Sequence, residues 1–294
     1  MPTERCLAIT GASGFVGGHA AAVAAGAGWR VVNMSRTHPA GVAGEWSPVD
    51  ITDRMAVLDA VSQVRPTVVL HTAAIANIDL AEREREIAWR VNVVGTEHVV
   101  SAAAGVGARL IALSTENVFD GERGDYVEND KPRPVNFYGE TKVAAEDACR
   151  RLHPEPLIVR LAMAYGRSRT GGITFIDRVA DAARRGQPIE APGEEYRTPI
   201  DVRTAADALV ELAAGEQTGV LHLGGTERVS RVRFVQKILQ ELGADPGLVR
   251  EAPASEFPDR ARRPRDVSMR VDRARGWLRT PLLDLRAGLR RALS

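Results

Sequence analysis

A tyrosine and a lysine four residues apart form the most chemically suggestive pair in this sequence. Tyr138 and Lys142 lie in a segment predicted to be helical from Tyr138 to Arg151, so their side chains share one helix face. A neighbouring ammonium group favours a phenolate and so lowers the pKa of a phenol toward the working range. That chemistry suits a general acid that protonates a carbonyl oxygen. The alternative interpretation is a surface pair without function.

A hydroxyl group is expected beside this pair. Leu113-Ser114-Thr115 ends a predicted buried strand, and ligand sites in open α/β sheets form at the carboxyl ends of the strands. There the hydroxyl of Thr115 would hold a substrate oxygen next to Tyr138.

A glycine-rich turn lies between the first predicted strand, Cys6–Thr10, and a helix that runs to about Ala25. Its spacing is G-x-x-G-x-x-G. Glycine allows a tight turn and close approach to a pyrophosphate, while the helix N-terminus supplies N–H donors. This pattern predicts a nucleotide site, and the alternative is a plain turn. The residues expected to bind the cofactor here are Gly11, Ser13, Gly14, Phe15, Val16 and Gly17.

Two further segments bear on which dinucleotide binds. Ser35-Arg36 ends the second predicted strand, where an acidic residue would favour NAD, and a hydroxyl and a guanidinium suit a 2′-phosphate instead. NADPH is therefore the predicted cofactor, with NADH as the alternative. The alternative interpretation of Arg36 is a solvent-exposed loop arginine without a role in binding. Asp50-Ile51 would lie near the adenine amino group, unless Asp50 caps the following helix, a task for which Asp53 is better placed.

Short apolar runs alternate with amphipathic stretches through the first half of the chain, which predicts a Rossmann-type doubly wound parallel sheet, an α/β fold. We expect residues 1–165 to form the NADP(H)-binding domain, with core strands returning from later segments, and residues 166–294 to form mainly a smaller substrate-binding part. Further predicted helices are 53–64 with Met55, Val57, Leu58 and Val61 inward, 82–104, 231–242 and 282–293.

Composition excludes several classes of protein. The 294 residues are 44% apolar and 26% charged with a net charge of +1, which argues against disorder, a nucleic-acid partner and a membrane partner. Cys6 and Cys149 are far apart and predict neither a disulfide framework nor a zinc site, so no metal is expected. Both are expected to be buried in a protein of the cytoplasm.

Taken together, the motifs resemble the extended short-chain dehydrogenase/reductase family, and within it the dTDP-4-dehydrorhamnose reductase-like branch. The resemblance covers nearly the whole chain, and the order and spacing of its segments make it specific. The matching segments are Thr10–Gly17, Asp50–Ile51, His71–Ala74, Asp79–Glu82, Val91–Asn92, Ser114–Gly121, Pro134–Lys142, Arg160–Gly166, Arg197–Pro199, Asp201–Val202 and Arg263–Pro264 with Ser268.

The resemblance implies a Rossmann fold, NAD(P)H and reduction of a 4-keto group on a nucleotide-linked deoxysugar. It implies that Thr115, Tyr138 and Lys142 are the catalytic set. It also implies cofactor contacts from Thr72, Ala73, Ala74, Asn92, Tyr138 and Lys142, with a structural or proton-relay role for Asn92 near the site.

Departures from the branch fall on residues that shape the substrate pocket. The usual Ser-Thr-Asp-Tyr-Val-Phe motif is Ser114-Thr-Glu-Asn-Val-Phe119 here, and Met163 stands where a tryptophan is common. Glu116, Asn117 and Met163 are therefore predicted substrate-binding residues in a wider or differently shaped pocket. A related ketoreductase with a different substrate is favoured over the rhamnose enzyme itself.

Several arginines could clamp a substrate diphosphate, because guanidinium matches phosphate geometry. Arg263 and Arg197 are the predicted contacts, and Arg203, Arg262 and Arg265 are weaker candidates. His71, at the end of an apolar strand, is interpreted as structural.

The predicted function is an NADPH-dependent ketoreductase whose small-molecule substrate is nucleotide-linked, with a homodimer compatible with the family. One alternative is an NAD-dependent nucleotide-sugar epimerase or dehydratase, against which Ser35-Arg36 argues. The other is a non-catalytic regulatory subunit like the beta subunit of methionine adenosyltransferase, against which the intact Thr115, Tyr138 and Lys142 set argues.

Overall fold

A seven-stranded, all-parallel sheet forms the centre of the computed structural model, which describes residues 5–38, 41–253, 256–257 and 260–294. The strand order is β11-β6-β5-β4-β1-β2-β3, so the chain reverses direction of travel between β1 and β4. This is the doubly wound arrangement that the sequence predicted. The strands are β1 (Cys6–Thr10), β2 (Arg30–Ser35), β3 (Glu45–Pro48), β4 (Val68–His71), β5 (Arg109–Thr115), β6 (Leu157–Leu161) and β11 (Gly219–Leu223).

Helices cover both faces of the sheet, because its strands carry apolar side chains on both sides. On one face alanines of the first helix pack with Leu209 and Leu212 against Leu7 and Ile9. On the other face Val99 and Val100 pack against Ala8 and Val69. The helices are α1 (Phe15–Gly26) and α8 (Val202–Ala213) on the first face, and α2 (Arg54–Val64), α5 (Gly95–Gly105) and α6 (Phe137–Leu152) on the second.

The predicted helix over residues 82–104 is interrupted in the structure. It consists of α3 (Ile78–Arg83), α4 (Arg85–Trp89), a π-helical turn at Arg90–Val94 and then α5, with Glu84 outside helical geometry between α3 and α4. π-helical turns inside α-helices often occur at functional sites. Here the turn carries Asn92, which is fully buried.

Helix α2 starts as predicted, since the Asp53 side chain accepts hydrogen bonds from the Met55 and Ala56 N–H groups. The prediction that Met55 faces inward is wrong. Val57 and Val61 are buried, but Met55 is 63% exposed. Met55 lies in the first turn, where the apolar stripe has not yet reached the sheet.

The second half of the chain builds a smaller layer beside the carboxyl ends of the strands. Phe234 and Ile238 pack there with Ile176 and Leu289. Strand β11 also comes from the second half of the chain, but it belongs to the main sheet, where it pairs with β6. The remaining elements are β7 (Ala164–Tyr165), α7 (Phe175–Arg184), β8 (Ile189–Pro192), β9 (Tyr196–Arg197), β10 (Ile200–Asp201), β12 (Val229–Ser230), α9 (Arg231–Glu241), β13 (Val249–Ala252), α10 (Asp272–Trp277) and α11 (Leu285–Leu293).

Both cysteines are buried, and they are not joined in a disulfide. Within the described ranges, no helix has the length and apolar character needed to cross a bilayer.

Candidate functional site

A cavity of about 720 Å³ opens at the carboxyl ends of the central strands. One end is walled by the glycine-rich turn and the other by residues of the second half of the chain. Thr115, Tyr138 and Lys142 lie on its walls, together with Glu116 and Asn117. The cavity therefore brings the predicted catalytic set to one place.

Helix α6 positions Tyr138 and Lys142. Its N-terminus is fixed by Asn136, whose side-chain oxygen accepts a hydrogen bond of 2.9 Å from the Gly139 N–H. Tyr138 is 8% exposed and Lys142 is 4% exposed, so both groups are held in a largely water-free setting. Burial in such a setting strengthens the electrostatic interactions of a reacting group.

The acidity of Tyr138 differs from the prediction. Burial raises the pKa of the phenol to about 12, while a hydrogen bond with Thr115 acts in the opposite direction. Burial also lowers the pKa of Lys142, with Cys149 and Glu146 opposing it. The desolvation of the phenol thus outweighs the Thr115 hydrogen bond in the protein alone, and Tyr138 is protonated at neutral pH.

The hydroxyl of Thr115 is oriented by Asn117. Oγ1 of Thr115 accepts the Asn117 backbone N–H at 3.2 Å and the Asn117 Nδ2 at 3.1 Å. These bonds form because a 3-10 turn, Glu116–Val118, follows β5 directly with Thr115 as its N-cap. Two donors occupy the lone pairs of the oxygen, so the hydroxyl acts as a donor, and in the protein alone it donates to the Tyr138 phenol oxygen.

Below the site a buried ion pair joins α6 to β5 and β6. The Glu146 carboxylate accepts two hydrogen bonds of 2.9 Å from the Arg160 guanidinium and one of 2.6 Å from Ser114 Oγ. The side chains of Arg160 and Glu146 are 2% and 1% exposed. Glu146 follows Lys142 by one helical turn, and Ser114 precedes Thr115, so this pair fixes the helix and the strand that carry the catalytic candidates.

His71 is structural, and its tautomer follows from its partners. The Thr96 hydroxyl donates to the Asn92 carbonyl at 2.6 Å, so it accepts from His71 Nε2 at 2.9 Å. Nδ1 is then the acceptor for Thr10 Oγ1 at 2.7 Å. Burial, with a contribution from Lys142, lowers the pKa of this imidazole to about 3, so it stays neutral.

Asn92 lies behind the site rather than on the wall of either large cavity. Its Oδ1 accepts from the Ile75 N–H at 2.7 Å, and its Nδ2 donates to the Ile75 carbonyl at 3.2 Å and to Thr141 Oγ1 at 3.0 Å. Its side chain is therefore fully used within the protein. It connects the segment after β4 to helix α6, which is a structural role.

The glycine-rich turn has the geometry of a phosphate cradle. Gly11 has φ +72°, a conformation that favours glycine, and a Cβ at Gly17 would lie 2.5 Å from the Gly11 carbonyl oxygen. Gly14 is the N-cap of α1, whose first turn contains no acidic residue. This close-packed turn leaves N–H groups and a positive helix end facing the cavity, so its residues fit the diphosphate of a dinucleotide.

A second groove of about 640 Å³ continues from the same turn toward the end of β2. Asp50 lies in it and uses Oδ1 for the Thr52 N–H at 2.9 Å and the Thr52 hydroxyl at 2.8 Å, so it caps a local turn while Asp53 caps the helix. The predicted cofactor residues on its walls are Gly11, Ser13, Gly14, Ser35, Arg36, Asp50, Ile51, Thr72, Ala73 and Ala74, while Phe15, Val16 and Gly17 line the large cavity.

Ser35 is placed differently from the expectation. It is buried, and its hydroxyl donates a hydrogen bond of 2.8 Å to the Thr37 carbonyl, so that proton is not available to a phosphate oxygen. Arg36 is exposed on the groove wall. The guanidinium is therefore the group at this strand end that suits a 2′-phosphate.

In the other half of the cavity Glu116 and Arg197 pair with each other. Glu116 Oε1 lies 3.1 Å from Arg197 Nε, and both side chains are under 10% exposed. Burial raises the pKa of Glu116 to about 7 against the opposing effect of Arg197. Glu116 Oε2 and Asn117 Oδ1 are buried and accept no hydrogen bond from the described residues. Met163 lies beside them on the cavity wall.

The arginines around the cavity are only partly those that the sequence predicted. Arg197 and Arg263 line it, but Arg203, Arg262 and Arg265 do not. Arg203 instead donates to the Arg291 carbonyl at 2.8 Å, on the outer surface. Sequence reasoning missed Arg178, Arg231 and Arg260, which also line the cavity. No local motif marks them, since they come from separate segments that only the tertiary fold brings together.

Comparisons with known proteins agree with this fold and site. The family described as the RmlD substrate binding domain matches residues 5–294. A dTDP-4-dehydrorhamnose reductase of Mycobacterium tuberculosis is 36% identical over 99% of this chain and 93% of its own length. A dTDP-4-keto-6-deoxy-D-glucose reductase of Streptomyces niveus is 31% identical over 95% of this chain and 93% of its own.

A crystal structure of dTDP-4-dehydrorhamnose reductase from Bacillus anthracis in complex with NADP superimposes with a TM-score of 0.89, at 27% identity, over 99% of both chains. The predicted family and fold are thereby confirmed. The chain belongs to the RmlD family of dTDP-4-dehydrorhamnose reductase-like oxidoreductases.

Proposed function

We propose that this protein is an NADPH-dependent ketoreductase that reduces the 4-keto group of a dTDP-type deoxysugar or a related ketone. The observation that carries the proposal is the convergence of Thr115, Tyr138 and Lys142 on one cavity that also contains the glycine-rich turn. When bound, NADPH supplies the hydride that reduces the carbonyl carbon. Reductases of dTDP-linked sugars among the relatives support this substrate class.

Tyr138 is proposed as the proton donor. Reduction of a ketone creates an alkoxide that needs a proton, and burial keeps the phenol protonated at neutral pH. Thr115, whose lone pairs are taken by Asn117, would transfer its hydrogen bond from the phenol to the carbonyl oxygen when a substrate binds. Lys142, one helical turn away, favours the phenolate that remains after proton transfer and suits a ribose hydroxyl of the cofactor.

Arg36 is proposed to distinguish NADPH from NADH. It is the guanidinium on the wall of the second groove at the end of β2. Asp50 keeps Oδ2 free for the adenine amino group, because its hydrogen bonds to Thr52 use Oδ1. Residues 1–165 would accordingly bind the cofactor, and residues 166–294 would contribute most of the substrate contacts. Arg197 and Arg231, which line the cavity together with Met163, are two of these contacts.

The two alternatives predict different behaviour. An epimerase or dehydratase recycles its nicotinamide cofactor, so it would retain bound NAD through purification. A regulatory subunit would bind the cofactor without turnover. Two N–H groups of Asn117 orient the Thr115 hydroxyl, and a protein that only binds the cofactor does not require a hydroxyl oriented in this way.

The test is NADPH oxidation with a dTDP-4-keto-6-deoxyhexose, in the wild type and in Tyr138→Phe. We expect the variant to lose about 10²-fold or more of kcat, the usual contribution of a positioned acid. Tyr196→Phe is the matched control, because Tyr196 does not line the cavity, and it should keep wild-type activity. Wild-type kcat in Tyr138→Phe would refute the proton donor. No turnover of the wild type with any dTDP-linked ketone, despite bound NADPH, would refute the reductase.

A further inference from the structure

Most of the arginines on the cavity wall already have carboxylate partners. Arg263 pairs with Asp79 at 2.8 Å, and Arg260 pairs with Glu195 at 3.2 Å. The Arg197–Glu116 pair described above completes this set. The charges of these paired arginines are thus neutralised within the protein. Two of them, Arg197 and Arg263, are the arginines that the sequence predicted as diphosphate contacts.

Arg178 and Arg231 differ from these. Within the described part of the chain, neither guanidinium has a carboxylate within 4.0 Å, although both line the cavity. They flank the same ring, since the Arg231 guanidinium lies 4.3 Å and that of Arg178 5.9 Å from the centre of Phe175. Arg231 starts helix α9 and Arg178 lies in α7, so two separate elements bring them together.

Arg231 lies on the cavity wall between apolar and charged side chains. It is largely buried, and Nη1 contacts the Met163 sulfur at 2.6 Å. Burial lowers the pKa of this guanidinium to about 10; Glu195 and Glu116 oppose this effect, while Arg197 and Arg260 act in the same direction as burial. Among the described residues no carboxylate lies within 4.0 Å of this buried charge, and an anionic ligand in direct contact would offset the cost of its burial.

We infer that Arg178 and Arg231 form an oxyanion-binding site on the substrate side of the cavity, with the Phe175 ring as its floor. The ligand is an oxyanion of the substrate, which comes either from the nucleotide diphosphate or from a carboxylate carried by the sugar. Both present the negatively charged oxygens that a guanidinium binds. The nucleotide-linked substrate class rests on the proposed function, whereas the site itself rests on two cavity arginines that have no carboxylate within 4.0 Å among the described residues.

The experiment measures equilibrium binding to the NADP-loaded enzyme, without turnover. The ligands are dTDP, dTDP-glucose and dTDP-glucuronate, and the variants are Arg178→Gln and Arg231→Gln, with Arg231→Lys to retain the charge. Arg184→Gln in α7 and Arg233→Gln in α9 are matched controls, because both are exposed and outside the cavity. Melting temperatures verify that each variant is folded.

We expect Arg231→Gln to raise the Kd of at least one anionic ligand about 10-fold or more, which is the usual effect of losing a charge-assisted hydrogen bond. Arg231→Lys should recover part of this loss, and the controls should bind like the wild type. A raised Kd for dTDP itself identifies the diphosphate as the group that the two arginines bind. A loss confined to dTDP-glucuronate identifies a sugar carboxylate.

Unchanged Kd values for all three ligands in folded Arg178→Gln and Arg231→Gln would overturn the inference. This result is distinguishable from a failure of the proposed reductase, because binding is measured whether or not NADPH is oxidised.

Discussion

Replacing Glu146 by glutamine tests the buried ion pair below the catalytic candidates. The substitution keeps the size of the side chain but removes the charge that faces Arg160. Breaking a buried pair by neutralising one partner costs about 3–5 kcal/mol, because the other charge stays buried and uncompensated. At roughly 2 °C per kcal/mol for a chain of this length, the melting temperature should fall by about 6–10 °C.

The pH dependence of this loss has a definite sign. Although burial acts to raise it, hydrogen bonds from Arg160 and Ser114 hold the pKa of Glu146 below its ordinary value. A depressed folded-state pKa contributes stability above the unfolded-state value, and this contribution disappears as the pH falls through the folded-state value. The wild type should therefore exceed Glu146→Gln in full at pH 7, and the difference should narrow below about pH 4.

Thermal unfolding of both proteins between pH 3.5 and pH 8 is the assay, and Asp147→Asn is the control. Asp147 is the next residue, is 70% exposed and pairs with Arg150 at 2.9 Å, so its removal should cost under about 1 kcal/mol. A melting temperature of Glu146→Gln within 2 °C of that of Asp147→Asn at pH 7 would refute this reasoning about the buried pair.

Four further results are expected. Asn117→Ala should lower kcat about 5-fold with little change in KM, because the Thr115 hydroxyl loses a side-chain hydrogen-bond donor worth about 1 kcal/mol. Steady-state kinetics measure this effect, and an unchanged kcat would contradict it. Glu116→Gln removes a carboxyl whose pKa is raised to about 7 in the folded protein. The stability of the wild type relative to this variant should therefore fall as the pH rises from about 5 through 7. A difference in melting temperature that does not change with pH would contradict this expectation. Gly17→Ala places a Cβ 2.5 Å from a backbone oxygen, so NADPH binding measured by fluorescence should weaken at least 10-fold, and retention of wild-type affinity would show that the turn can shift. Arg36→Gln should weaken NADPH binding about 10-fold and leave NADH binding unchanged, and equal losses for both would exclude a 2′-phosphate contact.

The sequence predicted those features that depend on neighbouring residues along the chain. The strand at Leu157–Leu161 has its predicted bounds, and the helix cap at Asp53 is the predicted one, because apolar runs and caps are local signals. The predicted catalytic residues share one cavity because β5 ends and α6 begins at the same edge of the sheet.

Features that depend on distant partners were not predictable in this way. The Glu116–Arg197 pair joins residues far apart in sequence, and Arg231 acquires its position only through the packing of α9 against Met163 and Phe175. Likewise, the pKa of the Tyr138 phenol is raised rather than lowered, because burial, which the sequence does not reveal, dominates at this position.

Strand β11 has a consequence for how the chain acquires its fold during synthesis. It lies at the edge of the main sheet and pairs with β6 over five residues, from Gly219 to Leu223. Until residue 223 has left the ribosome, β6 is an open edge with unpaired N–H and C=O groups and an apolar surface, a template for pairing with other chains. The β6 edge of the sheet is therefore covered late, and a nascent chain stalled shortly after residue 165 is the species most exposed to aggregation.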